Sequence, residues 1–213
     1  MKFSKDQLKL YAITDRQWLK DNQSIYDIVE QALEGGSTMI QVREKTLDKN
    51  SFIKEVKSIL PLCHRYGVPL IVNDDIQVAL ESKADGIHLG QSDLNSNNIN
   101  KVVPQSMILG ISAQNINQAL KAEKMGASYL GVGAVFTTDT KRDASVLNPF
   151  ILKEIAQSVN IATVAIGGIN NNNIKLLENT SIAGISLISA IFAQDNIQQA
   201  TSDILSIIKR TKF

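Results

Sequence analysis

The sequence predicts an α/β fold, a single-domain (β/α)8 barrel of the TIM type. Three observations lead there. Short apolar runs of strand length alternate with segments of helical periodicity from end to end. The alternation gives eight units in 213 residues, with no shift in composition that would mark a linker. Polar and charged residues gather just after the apolar runs, where parallel α/β folds carry their chemistry. A doubly wound open sheet is the alternative. Eight regular units without a second domain favour closure of one domain over residues 1–213.

Leu10 to Thr14 reads as the first strand, and Ile25, Ile28, Val29, Ala32 and Leu33 then recur at helical spacing until Gly35-Gly36. Met39 to Arg43 is the second strand. Phe52, Val56, Ile59, Leu60 and Cys63 mark a helix that stops near Gly67. Pro69 to Asn73 and Gly86 to Leu89 are the third and fourth strands, with Val78-Ala79-Leu80 as a short helix between them. Met107 to Ile111 is the fifth, followed by a helix from about Asn115 to Met125. Tyr129 to Val132, Thr163 to Ile166 and Gly184 to Ile188 complete the strands, with a helix expected to begin near Asn170 and a closing helix over Ile197 to Ile208. The asparagine clusters at Asn95–Asn100 and Asn170–Asn173 read as loop or cap residues.

Composition narrows the function. The chain is 44% hydrophobic and 20% charged, ordinary for a soluble globular protein. A net charge of +1 gives no reason to expect nucleic acid or membrane as partner. The amino terminus has no apolar core of signal-peptide length. The most apolar stretch, Ile182 to Ala193, falls short of the about 20 residues needed to span a bilayer. A cytoplasmic location is expected. Cys63 is the only cysteine, so no internal disulfide forms, and it reads as a plain buried thiol.

The chemistry centres on Asn73-Asp74, an amide and a carboxylate at the end of a strand. In Gln41-Val42-Arg43-Glu44-Lys45, strand alternation puts Gln41, Arg43 and Lys45 on one side. On an active rim, Arg43 and Lys45 would clamp a diphosphate and Gln41 would orient a heterocycle. The other reading is surface charge with Glu44 as ion-pair partner. Asp74 and Asp93, after neighbouring strands, could share one Mg2+, which takes one or two carboxylates plus phosphate oxygens and waters. Each could instead cap a helix, the role favoured for Asp75. His88 reads as a structural histidine on the barrel wall, and His64 carries no signal. Gly133 to Asp143 is a polar, hydroxyl-rich segment able to close over a ligand, where Lys141 could supply a cation on closure and Thr138 and Thr140 could bind phosphate oxygens; the other reading is a mobile solvated loop. Gly167-Gly168 and Ile188-Ser189 stand where barrels bind phosphate, in the last two βα loops.

In order along nearly the whole chain, these motifs resemble the thiamine phosphate synthase family. The resemblance rests on Tyr11 to Asp15, Gln41 to Lys45, Asn73-Asp74, His88 to Asp93, Gly110 to Ser112, Gly131 to Lys141, Ala165 to Ile169 and Ser189 to Ile191. It implies a Mg2+-dependent transferase that joins an aminomethylpyrimidine diphosphate to a thiazole phosphate. Gln41, Val42, Arg43, Glu44, Lys45, Asn73, Ser112 and Lys141 would hold the pyrimidine diphosphate, with Arg43, Ser112 and Lys141 acting on the reacting group. Asp74 and Asp93 would bind Mg2+. Thr138, Asp139, Thr140, Gly168, Ile188 and Ser189 would hold the thiazole phosphate. The partners implied are these small molecules, and a homo-oligomer is compatible. The family usually has prolines where Ala134 and Thr137 stand and often Leu at Val42. The first two changes are expected to loosen the lid. A related thiazole tautomerase keeps the phosphate loops but typically lacks both metal carboxylates and has histidine where Ala134 stands. Asp74, Asp93 and Ala134 favour the synthase. A phosphate-ligand binding protein without turnover is the reading from another class.

Overall fold

Strands β1 (Leu10–Ile13), β2 (Met39–Val42), β3 (Leu70–Asn73), β4 (Gly86–Leu89), β5 (Ile108–Ala113), β6 (Tyr129–Gly133), β7 (Ala162–Ile166) and β8 (Gly184–Leu187) close into a parallel barrel in sequence order. Tyr11 pairs with Met39 on one side and Ser186 on the other, which seals β8 to β1. This computed structural model describes residues 3–95, 99–138 and 146–213. Around the strands run α1 (Ile25–Glu34), α2 (Lys49–Arg65), α3 (Ile76–Ser82), α4 (Ile99–Val102), α5 (Ile116–Lys124), α6 (Pro149–Gln157), α7 (Ser189–Phe192) and α8 (Ile197–Ile208). The predicted fold class holds.

Parallel strands covered by helices bury both faces, so β1, β2, β4 and β8 are buried along their whole length. Side chains alternate between two cores. Leu8, Tyr11, Ile13, Met39, Ile71, Ile108, Tyr129 and Val164 fill the barrel, and a larger set packs between strands and helices. Helix starts follow capping chemistry. Ser24 opens α1 with a reciprocal capping box to Asp27, and Asp48, Asp75, Asn115, Asn148 and Asn196 accept backbone N–H groups at α2, α3, α5, α6 and α8. The buried stripe of α1 is the predicted one, Ile25, Ile28, Val29, Ala32 and Leu33.

The helix expected near Asn170 does not form there. Only a 3-10 turn, Ile174–Leu177, follows β7. The asparagines explain it. Asn173 Oδ1 accepts from Asn170 N, Asn170 Oδ1 accepts from Asn172 N, and Asn173 Nδ2 donates to Gly168 O. Their side chains bond the local backbone in a turn, which competes with a helix. Strand β5 also runs to Ala113, past the predicted end, so Ser112 lies within it.

Cys63 is fully buried on α2, where burial and then the charge of Asp85 push its thiol up to about 12. Such a thiol is inert packing. Cys63→Ser is therefore expected to leave turnover intact while lowering stability by about 1–3 kcal/mol, because a hydroxyl replaces an apolar-buried sulfur. Urea unfolding and steady-state assay of the variant check both parts. Among the described residues no helix is long and apolar enough to cross a membrane.

Candidate active site

A cavity of about 410 Å³ opens at the carboxyl ends of the strands, and Gln41, Arg43, Lys45, Asn73, Asp74 and Ser112 all line it. Sequence reasoning placed these six together, and the barrel brings them together.

The strand alternation of β2 continues past its end. Gln41 points into the barrel, and Arg43 and Lys45 follow on the same side. Arg43 is fixed twice. Its backbone N–H donates to Thr14 Oγ1 at 3.1 Å, and its guanidinium donates to Asp15 Oδ2 at 2.8 Å. Asp15 is itself held by the backbone and side-chain amides of Gln17. Arg43 thus enters the cavity pre-oriented, with donors left for a ligand.

Val42 and Glu44, expected at the pyrimidine diphosphate, turn their side chains elsewhere. Val42 is buried in the core between strands and helices. The Glu44 side chain is 2% exposed and faces Arg16, whose Nε donates to Oε2 at 2.6 Å. Arg16 also bonds Glu55. Glu44 Oε1 accepts from the backbone N–H groups of Lys45, Thr46 and Leu47 and from Thr46 Oγ1. The carboxylate therefore orders the turn that carries Lys45. Glu44 pairs with Arg16 and not with the neighbouring cations that the sequence suggested.

Burial pushes the Glu44 carboxyl up, but the bonds from Thr46, Arg16 and Lys45 outweigh it and hold it at about 2. A folded value below the ordinary 4.5 stabilises the fold above that pH. The contribution, about 2–3 kcal/mol at neutral pH, is lost as pH falls towards the folded value. Glu44→Gln should accordingly be less stable than wild type at pH 7. The gap should narrow as pH drops from 5 to 3, read by urea unfolding across that range.

Asn73 ends β3, and Asp74 follows in a left-handed conformation at φ 63°. Three bonds hold it. Its N–H donates to His88 O at 2.9 Å, Asn73 Nδ2 donates to Oδ1 at 2.8 Å, and Lys45 Nζ donates to Oδ2 at 2.6 Å. The carboxylate is thus aimed at the mouth and already carries a cation. Asp75 caps α3 by accepting from Val78 N, as expected. Asp93 begins a 3-10 turn after β4. Its Oδ2 accepts from Gly90 N at 2.8 Å, behind the cavity wall formed by Gly90, Gln91 and Ser92. Among the described residues no group of three or more His, Cys, Asp or Glu could hold a metal. Asp74 and Asp93 are hard oxygen donors on adjacent loops, which suits a cation that takes its other ligands from water and phosphate.

The opposite wall is the glycine turn. Gly167 and Gly168 sit at φ 97° and 64°, and a side chain on Gly168 would strike Thr137 O. Val135 N donates to Ile166 O and Phe136 N to Gly167 O, so the described start of the β6 loop is tied to the β7 turn. Ala134, one of the two positions where the family usually has proline, is buried. Thr138, Gly168, Ile188 and Ser189 line the same cavity. Asp139, Thr140 and Lys141 lie outside the described residues.

Sequence reasoning missed what lies beneath. Gln41 Nε2 donates to Tyr11 Oη at 2.5 Å, and Tyr11 Oη is 2.7 Å from Tyr129 Oη. Tyr129 Oη is 3.0 Å from His88 Nδ1, and His88 Nε2 is 3.0 Å from Ser112 Oγ. His88 is structural in the sense expected, a satisfied residue inside the barrel. Burial, opposed by the charge of Asp74, lowers it to about 4, so it is neutral at pH 7. Burial also raises both tyrosines.

Comparison with known proteins identifies the family. Residues 10–191 match the family model described as thiamine monophosphate synthase. The thiamine-phosphate synthase of Clostridium tetani is 44% identical over 195 residues, 92% of this chain and 93% of that protein. That of Ruminiclostridium cellulolyticum is 42% identical over 204 residues, 96% and 97% of the two chains. Among solved structures, a thiamine phosphate pyrophosphorylase from Pyrococcus furiosus superposes with a TM-score of 0.88 at 37% identity, over 97% of this chain and 98% of that one. With the fold, the cavity and these relatives in accord, the chain belongs to the thiamine monophosphate synthase family.

Proposed function

We propose that the barrel mouth couples 4-amino-2-methyl-5-(diphosphooxymethyl)pyrimidine to 4-methyl-5-(2-phosphoethyl)thiazole, giving thiamine phosphate and diphosphate, or to the carboxylated form of that thiazole, giving the same two products and carbon dioxide. The observation that carries this reading is the two-walled cavity. Arg43, Lys45 and Asp74 stand on one wall and the glycine turn with Ser189 on the other. One cavity can then hold a diphosphate and a second phosphorylated ligand side by side.

The pyrimidine pushes electrons toward its exocyclic methylene, so the carbon–oxygen bond breaks with the electron pair leaving on diphosphate. The thiazole nitrogen then forms the new carbon–nitrogen bond. The protein has two tasks, to neutralise the leaving group and to hold the nitrogen near the methylene carbon. Arg43, locked by Asp15, and Lys45 supply fixed positive charge. Ser112 and Asn73 supply polar contacts. Lys141, placed at the diphosphate by family resemblance, would add a further cation. Mg2+ held by Asp74 and Asp93 would neutralise charge on the diphosphate when bound. No covalent nucleophile is needed. The tautomerase reading asks for a base at position 134, where buried Ala134 has none. The cytoplasm is the compartment proposed for this reaction.

The test is a coupling assay with both substrates, with and without Mg2+, scored for thiamine phosphate and released diphosphate. Metal-dependent appearance of both supports the reading. No product from folded protein shown to bind both ligands would refute it.

A further inference from the structure

We infer that Tyr129 and His88 are positioning residues that set the hydrogen-bonding polarity of Gln41 and Ser112 through one continuous chain across the barrel. The chain runs Gln41, Tyr11, Tyr129, His88, Ser112, with every link between 2.5 and 3.0 Å. Both ends line the substrate cavity. The inference deepens the coupling reading and, in its ligand assignments, rests on it.

The barrel is cut away to make room for the middle of the chain. A side chain on Gly110 would fall 2.5 Å from His88 Nδ1 and closer still to the Tyr129 hydroxyl. One on Gly131 would fall 3.0 Å from His88 Cε1. Two glycines on adjacent strands β5 and β6 thus clear the space that the His88–Tyr129 bond occupies. Tyr11, Gln41, His88 and Tyr129 are all buried, so each hydroxyl must donate its single proton within the network.

Directions then follow link by link. The Gln41 amide donates to Tyr11. Tyr11 Oη, having accepted, donates to Tyr129. Tyr129 in turn donates to His88 Nδ1. A neutral imidazole that accepts at Nδ1 carries its proton on Nε2, so Nε2–H donates to Ser112 Oγ. Ser112 is left with its own O–H to give to the cavity, and Gln41 is left with its carbonyl oxygen. An anionic phosphate oxygen can only accept, and an exocyclic aminopyrimidine nitrogen donates. The two ends therefore present a donor for the diphosphate and an acceptor for the amino group. Reversal of any one link would reverse both ends together.

Two measurements on the whole protein test this. Nitrogen-15 NMR of labelled wild type resolves the imidazoles, since the chain has only two histidines. His88 should be the neutral Nε2–H tautomer with a bare Nδ1, and Tyr129→Phe should shift the Nδ1 signal. Protonated Nδ1 would overturn the inference whether or not the protein is active. In the coupling assay, Tyr129→Phe should raise KM for the pyrimidine diphosphate about 10-fold, the loss of one oriented hydrogen bond, and leave KM for the thiazole phosphate unchanged. His88→Gln, which can accept from Tyr129 and donate to Ser112, should keep most activity that His88→Leu loses. Equal shifts in both KM values, or no difference between His88→Gln and His88→Leu, would contradict the proposal. A wild-type protein with the Nε2–H tautomer and no coupling activity would refute the function and leave the chain's direction standing.

Discussion

Asp74→Asn is expected to lower coupling turnover about 100- to 1000-fold, the scale for removing one preorganised charge-stabilising group. The substitution isolates charge from shape. Asparagine tolerates the left-handed backbone that Asp74 adopts at φ 63°. Its single side-chain oxygen can still accept from Asn73 Nδ2, while the amide group that replaces Oδ2 gives up the bond from Lys45 Nζ. Stability should change by less than about 1 kcal/mol, because the Lys45 pair is exposed. The proposed role in holding Mg2+ adds a second readout. The metal concentration for half-maximal rate should rise. A variant with wild-type rate and wild-type metal response would remove Asp74 from the mechanism.

Arg43→Ala should be comparably severe but split differently. Of Arg43 and Lys45, the guanidinium is the more firmly fixed, with its side chain 24% exposed and paired to a 12% exposed Asp15, against 51% exposed for Lys45. Its loss should raise KM for the pyrimidine diphosphate and also lower kcat, with a combined effect on kcat/KM of about 100-fold or more. It should also cost stability by about 1–3 kcal/mol, since Asp15 would keep only its Gln17 contacts. Steady-state kinetics with each substrate varied in turn, alongside urea unfolding, separates the effects. A change in stability without a change in KM would reduce Arg43 to a structural partner of Asp15.

What could be read from the sequence follows from the range of the forces involved. Strand and helix periodicity is local, so the order of the eight units and the stripe of α1 came directly from spacing. The rim was legible for the same reason, since alternation along β2 puts Gln41, Arg43 and Lys45 on one side. Partner choice was not legible. Arg43 pairs with Asp15 and Glu44 with Arg16, each 28 positions away. Nothing in Gln41 to Lys45 indicates that Glu44 turns back to cap its own loop. The interior chain was hidden more deeply. Tyr11 and Tyr129 sit in apolar strand runs and look like ordinary barrel filling, yet their hydroxyls meet across 118 positions of sequence. The one available signal was a pair of glycines, Gly110 and Gly131, within otherwise apolar strands, which marks a close approach from the facing wall. The missing helix after β7 has a different cause. Asparagine serves caps and turns equally well, and four in a row supplied enough side-chain acceptors to finish a turn instead.

The most direct test of the central claim, that one mouth holds both substrates with diphosphate against the β2 cations, is a crystal structure of the protein with thiamine phosphate, diphosphate and Mg2+. Diphosphate in contact with Arg43 and Lys45, a cation between it and Asp74, and the thiazole phosphate at Gly168 and Ser189 are the predicted result. Diphosphate bound away from Arg43 and Lys45, or thiamine phosphate outside the mouth, would contradict the account.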